Sequence, residues 1–181
     1  MRCAERRLLS CRLLSRLRLR RSGRIFFVAV NLRPVLAPFS EGEYERLGAA
    51  VDASRKKLGF LLLGYVFMPD HFHALIWPSY PLTISRVIQD IKWTSSRAVN
   101  RARKTSGHLW QHQFWDRFIR NGRELRQRLD YLHFNPVRKG LVKCPESWRW
   151  SSCNNFALNQ EVVKKCPMRV DYIHLPQSYR G

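Results

Sequence analysis

Acidic side chains are scarce in this sequence, with 13 Asp and Glu against 33 Lys and Arg and a formal charge of +20. A surface so short of carboxylate calls for a polyanionic partner, and nucleic acid is the first candidate. Ribosomal and membrane-surface proteins carry the same imbalance, so charge alone selects no activity. Cys-x-x-Cys pairs are missing as well. The five cysteines (Cys3, Cys11, Cys144, Cys153 and Cys166) are odd in number and unevenly spaced, which argues against a disulfide framework and leaves the reduced thiols of a cytosolic protein. No apolar run reaches the ~18 residues of a membrane span. Arginines interrupt every apolar stretch between Leu8 and Leu19, which argues against a secretory signal. What is present is a hydrophobic fraction of 45% with six tryptophans in 181 residues, enough for one domain with its own core.

The charge is unevenly spread. Residues 1–24 hold nine arginines and one acid, Glu5, which leaves +12 on the other 157 residues. Residues 1–23 read as a basic leader, disordered or translated from a start codon too far upstream. Leu9, Leu13 and Leu17 at helical spacing keep a DNA-binding arm or a transit-like peptide open as alternatives. The folded domain is expected over residues 24–156, with a C-terminal tail over residues 157–181.

Within that domain, Ile25 to Val30 is a short apolar, β-branched run and reads as a buried strand, ended by Pro34 and Pro38. A helix follows from Glu41, with Tyr44, Leu47, Val51 and Leu58 at helical spacing up to Gly59. Phe60 to Met68 and His71 to Trp77 read as two strands separated by Pro69-Asp70. Thr83 caps a second helix, whose apolar face is Ile84, Val87, Ile88, Ile91, Ser95, Ala98 and Ala102. A fourth strand is expected over Phe114 to Arg120. A third helix is expected from about Arg123 to Asn135, with Pro136 forbidding its continuation. Strand, helix, strand, strand, helix, strand, helix predicts an α+β, ferredoxin-like split βαβ antiparallel sheet, with an added C-terminal helix.

Two constellations carry chemistry. His71 and His73 lie two apart on a strand, so both imidazoles project from one face, and Leu75 and Trp77 continue it. Such a pair fits half of a divalent metal site, and equally a strand end whose histidines bond locally. A third ligand must come from elsewhere. On the third helix Tyr131 and Asn135 are one turn apart and share a face, with Gln127 one turn earlier. Leu125, Leu129 and Leu132 form the docking stripe and are expected to aim Tyr131 away from the core. The amide oxygen of Asn135 suits a hard cation such as Mg2+ or Mn2+, whereas half-buried packing would explain both residues without chemistry.

Several blocks occur together: Phe26-Phe27, Met68-Pro69-Asp70-His71-Phe72-His73, Trp110-Gln111, Phe114-Trp115, Tyr131 through Val142, and Trp150-Ser151-Ser152. In this order, over about residues 24 to 156, the sequence resembles the REP-associated tyrosine transposases. These belong to the single-tyrosine branch of the HUH endonuclease superfamily. The resemblance implies His71 and His73 as metal ligands, Tyr131 as nucleophile and Asn135 as the further ligand, where insertion-sequence relatives often carry glutamine. It implies a Mg2+- or Mn2+-dependent enzyme that cleaves and rejoins single-stranded, hairpin-containing DNA through a 5′-phosphotyrosine. Such an enzyme would work in the bacterial cytoplasm at the nucleoid, and monomer and homodimer are equally compatible with it.

The basic residues expected to meet DNA are Lys92, Arg97 and Arg101 on the second helix, with Arg120, Arg138 and Lys139 around the third. Trp77, Trp93, Trp110 and Trp115 are each either core packing or a surface for unpaired bases. Three rivals stand beside this reading. One is an RNA-recognition module with the same element order. Another is a domesticated transposase that binds hairpins without cutting. The weakest is a zinc hydrolase, for which no acid or cysteine lies at ligand spacing from the histidines.

Overall fold

The structure, a computed structural model, describes residues 24–157, 159–175 and Tyr179. The basic leader lies outside these residues. The elements run β1 (Ile25–Asn31), α1 (Glu41–Leu58), β2 (Leu61–Phe67), β3 (His71–Trp77), α2 (Ile84–Arg103), β4 (Trp115–Ile119), α3 (Gly122–Arg138) and the short α4 (Gln160–Lys164). The four strands form one sheet in the order β2-β3-β1-β4. All three pairings are antiparallel, as the ferredoxin-like pattern requires.

Alternation divides every central strand between two cores. Val28 and Val30 of β1 join Phe72, Ala74 and Ile76 of β3 under α1 and α2, against Tyr44, Leu47, Val51, Val87, Ile88 and Ile91. Ile25 and Phe27 join Leu75, Trp77 and Ile119 on the opposite face, where Leu125 and Leu132 of α3 bury themselves. The sheet is thus sandwiched, α1 and α2 on one side and α3 on the other. Thr83 accepts from the Arg86 N–H and starts α2. The buried stripe of α2 ends on Val99, while Ala98 is half-buried and Ala102 exposed.

Helix α3 does not stop at Asn135, contrary to the expectation from Pro136. It continues to Arg138 with the proline inside its last turn. Proline forfeits one N–H, but the turn closes without it. Lys139 donates to the Asn135 carbonyl at 3.0 Å, Gly140 to Val137 at 2.9 Å, and Leu141 to Pro136 at 2.9 Å. Gly140 takes a left-handed φ of 70°, so the last turn is a glycine-terminated Schellman closure that satisfies the orphan carbonyls.

The segment beyond residue 156 packs on the body. Met168 and Val170 enter the first core. The Asp171 carboxylate accepts from the Leu62 N–H at 2.9 Å and pairs with Arg55 at 2.7 Å. No helix among the described residues is long and apolar enough to cross a membrane.

One polar contact pins α3 to the sheet from below. Ser152 Oγ accepts from the Tyr65 N–H at 2.9 Å and bonds His133 Nε2 at 2.9 Å. All three residues are buried. Ser152→Ala strands the Tyr65 N–H and removes the bond to His133, so urea denaturation should show a loss of about 1–3 kcal/mol. An unchanged midpoint would show that water replaces the hydroxyl.

Candidate active site

The α3 face of β3 begins polar and turns apolar, from His71 and His73 to Leu75 and Trp77. The β1–β3 register sets Asn31 opposite His71 and Ala29 opposite His73, so both imidazoles stand near one end of the sheet. Their ring centroids are 4.8 Å apart. His71 Nδ1 is 2.6 Å from Asp70 Oδ1, a contact that fixes the ring and leaves its other nitrogen for a ligand. His73 is buried, and its Nδ1 has no hydrogen-bond partner. Its Phe27 neighbour stacks at 5.2 Å.

Burial, chiefly, and the neighbouring His71 push the His73 pKa down to about 4, against the opposing pull of the Val28 backbone and Asp70. At neutral pH this imidazole is uncharged and carries a free lone pair, the state a metal ligand needs.

Tyr131 comes to this pair from the other side. Its ring centroid lies 5.7 Å from that of His73 and 5.9 Å from that of Phe27. The sequence reading that aims Tyr131 away from the core requires correction. It packs on the margin of the second core, because it stands on the flank of the helix's buried face rather than opposite it. Gln127, one turn earlier, is exposed. Leu129 approaches β2 at Gly64, where an added Cβ would meet its Cδ2 at 2.7 Å. Asn135, one turn on from Tyr131, is buried.

The two imidazoles fit part of a divalent-cation site: one has an orphaned buried nitrogen, and the other is held by a carboxylate. Among the described residues no group of three His, Cys, Asp or Glu gathers anywhere. His133 is turned to Ser152 and is not a proton acceptor for Tyr131.

The basic residues divide. Arg138 places its guanidinium carbon 5.1 Å from the Tyr131 ring centroid, and Lys139 is exposed just beyond. Arg120 is exposed at the other end of α3, a helix of 17 residues and so about 25 Å long. Lys92, Arg97 and Arg101 lie on α2, across the sheet from Tyr131. The Lys92 ammonium is held by the Gln111 and His112 carbonyls at 2.6 and 2.8 Å, and burial lowers its pKa; it fastens a loop. Arg97 leans over Trp93 at 5.9 Å. Of the four tryptophans singled out, Trp77 and Trp110 are core, while Trp93 and Trp115 are exposed. Sequence reading missed Phe27 as the ring between His73 and Tyr131, and Arg128, whose guanidinium carbon lies 5.4 Å from the Phe27 centroid. The i−3 spacing of Arg128 from Tyr131 was the available signal.

A ferredoxin-like domain with a histidine pair on its sheet and a tyrosine on the helix above defines a class. Comparison with known proteins agrees. The family described as "Transposase IS200 like" matches residues 27–120, which take in both histidines and end before Tyr131. The REP-associated tyrosine transposase of Escherichia coli (strain K12) is 30% identical over 132 residues, covering 72% of this chain and 76% of that protein. A relative from Haemophilus influenzae (strain ATCC 51907 / DSM 11121 / KW20 / Rd) is 24% identical over 140 residues, covering 72% and 80%. A solved REP-associated tyrosine transposase bound to a REP hairpin is 26% identical with a TM-score of 0.65, covering 78% of this chain and 83% of that one. The chain belongs to the IS200-like transposases, and within them to the REP-associated tyrosine transposases.

The depressed His73 pKa makes stability depend on pH. Unfolded, the ring takes a proton near 6.5; folded, it resists until about 4. Its contribution is full above about 6.5 and is lost as pH falls toward 4, an effect on the order of 3 kcal/mol. Urea titrations in EDTA at pH 7 and 4.5 should show a larger drop for wild type than for His73→Gln. Equal drops would mean a solvated ring.

Proposed function

We propose that this chain cleaves and rejoins single-stranded DNA beside a hairpin, with Tyr131 as nucleophile and His71, His73 and Asn135 as ligands of a Mg2+ or Mn2+ ion. The observation that carries the reading is the placement of the Tyr131 ring 5.7 Å from the His73 ring, across from an imidazole nitrogen with no other partner. A bound cation would supply Lewis-acid neutralisation of the scissile phosphate.

The remaining work falls to the protein. The Tyr131 oxygen attacks phosphorus, a new P–O bond forms to tyrosine, and the bond to the 3′-oxygen breaks. The half-exposed phenol gives its proton to solvent, and the departing 3′-oxygen gains one to become a hydroxyl. Phosphodiester energy is kept in the 5′-phosphotyrosine. A second strand's 3′-hydroxyl reverses the step, so neither ATP nor hydrolytic water is consumed. Arg138, against the tyrosine ring, and Lys139 supply positive charge where the phosphate must lie. The hairpin partner is proposed from the related structure, which is of a protein bound to a REP hairpin.

Incubation with labelled hairpin DNA from the gene's flanks and Mg2+ should give a covalent adduct. Tyr131→Phe should give none while keeping its DNA affinity, and none of the chain's five other tyrosines should substitute. His71→Ala and His73→Ala should each lower cleavage by at least 100-fold, as loss of a catalytic electrostatic contact does, with binding largely intact. Asn135→Ala should be milder and partly restored by excess Mn2+. An adduct from Tyr131→Phe would overturn the nucleophile; tight hairpin binding by wild type without any adduct would identify a binder that does not cut.

A further inference from the structure

We propose that the part of the sheet left open beside the histidine pair is a seat for one unpaired nucleotide, whose base stacks on Trp115. This rests on the reading of the site as one that handles single-stranded DNA. The β4–β1–β3 register sets Trp115, Ala29 and His73 in one row on the α3 side of the sheet. Two strand spacings, about 10 Å, separate Trp115 from His73; the Ala29 methyl lies between them in the row, and the Phe27 ring reaches both from the neighbouring row. In the next row Asn31 faces His71 and is exposed, while Ala29 is half-exposed. The result is a shelf floored by Ala29 and the Phe27 ring, with the imidazoles on one side and the Trp115 indole on the other.

Trp115 is 49% exposed. Its aromatic neighbour is Phe27, whose ring meets it edge-on at 5.9 Å and 72°. Among the described residues no ring lies parallel on the indole, so a flat face is available to a ligand. Phe27 also touches His73 and Tyr131, so the shelf is continuous with the site.

The surroundings choose the occupant. Arg128 sits over Phe27 and Arg138 over Tyr131. Glu124 is engaged by Arg117 at 3.1 Å and Asp70 by His71 at 2.6 Å, while Asp116, beside Trp115 in the chain, falls on the opposite face of the sheet by alternation. A planar ligand on an anionic backbone suits an aromatic plane flanked by guanidiniums, and Asn31 presents an amide to that ligand's edge.

The test uses the full chain carrying Tyr131→Phe, so that no cleavage intervenes. The probe is a hairpin from the gene's flanks with its unpaired stretch, 2-aminopurine being walked through that stretch one position at a time. One position should be quenched on binding. Adding Trp115→Leu, which keeps an apolar group against Phe27 but has no stacking plane, should abolish that quenching. It should also weaken binding of the tailed hairpin roughly five- to a hundred-fold, the range of one base–aromatic stack. Trp115→Phe should restore most of both. A hairpin without the unpaired stretch should bind all three proteins alike, which also shows that the variants are folded.

Undiminished quenching in the leucine variant, absence of quenching at every position in the parent, or equal losses with and without the unpaired stretch would each overturn the proposal. Adduct formation by the wild-type chain is scored separately. Adduct without Trp115-dependent quenching sinks the shelf alone, and quenching without adduct sinks the cleavage reading alone.

Discussion

Strand β3 is buried on both faces, and that double burial sets the position of every group at the site. Phe72, Ala74 and Ile76 fill the core under α1 and α2, while Leu75 and Trp77 fill the one under α3. A slip of one residue would exchange the two sets and bury both histidines under α1 and α2. Register is therefore enforced by apolar side chains on both sides and sets where the imidazoles stand, and Asp70 and Phe27 then hold the rings of His71 and His73. Pairing with β1 then places Ala29 and Asn31 beside them, small or polar residues that leave the end of the sheet uncrowded.

Burying His73 opposes folding, since an imidazole without a partner for one nitrogen gives up water and recovers little. Phe27 partly offsets this by stacking. Tyr131 stands on the flank of its helix between core and solvent, partly buried with its ring against Phe27 and His73. The helix that carries it is fixed at several points. Leu125 and Leu132 are buried, His133 meets Ser152, and Gly140 closes the last turn. Gly64 lets the helix come close, because a side chain there would collide with Leu129.

Much of this was legible in the sequence. Element order, sheet faces and the His71–His73 pair follow from period-2 and period-3.6 patterns that point the same way at every element. The course of α3 was misread because Pro136 speaks only of its own missing N–H, whereas the closure at Gly140 depends on bonds three to five residues long. The orientation of Tyr131 was misread because three leucines define the centre of a buried face but not its width. Lys92 looked like a DNA contact since charge in a sequence carries no address. In the fold its ammonium lies against two carbonyls. The packing of residues 159–175 was invisible, as its anchors, Asp171 on Leu62 and Met168 near Tyr65, are single contacts with no period.

Those anchors have a consequence for how the sheet meets other chains. Along the outer side of β2, the Phe67 N–H goes to the Trp150 carbonyl, Tyr65 to Ser152 Oγ, and Leu62 exchanges bonds with Asp171 in both directions. That border is sealed by the chain's own later residues. On β4, by contrast, Trp115 to Phe118 are all exposed. Among the described residues the sheet thus has a finished edge and an open one, where an added strand would find unpaired backbone groups. A polymer of such sheets needs two open edges per subunit. With one open edge among the described residues, edge-to-edge strand pairing would join two copies and leave no further edge to extend from.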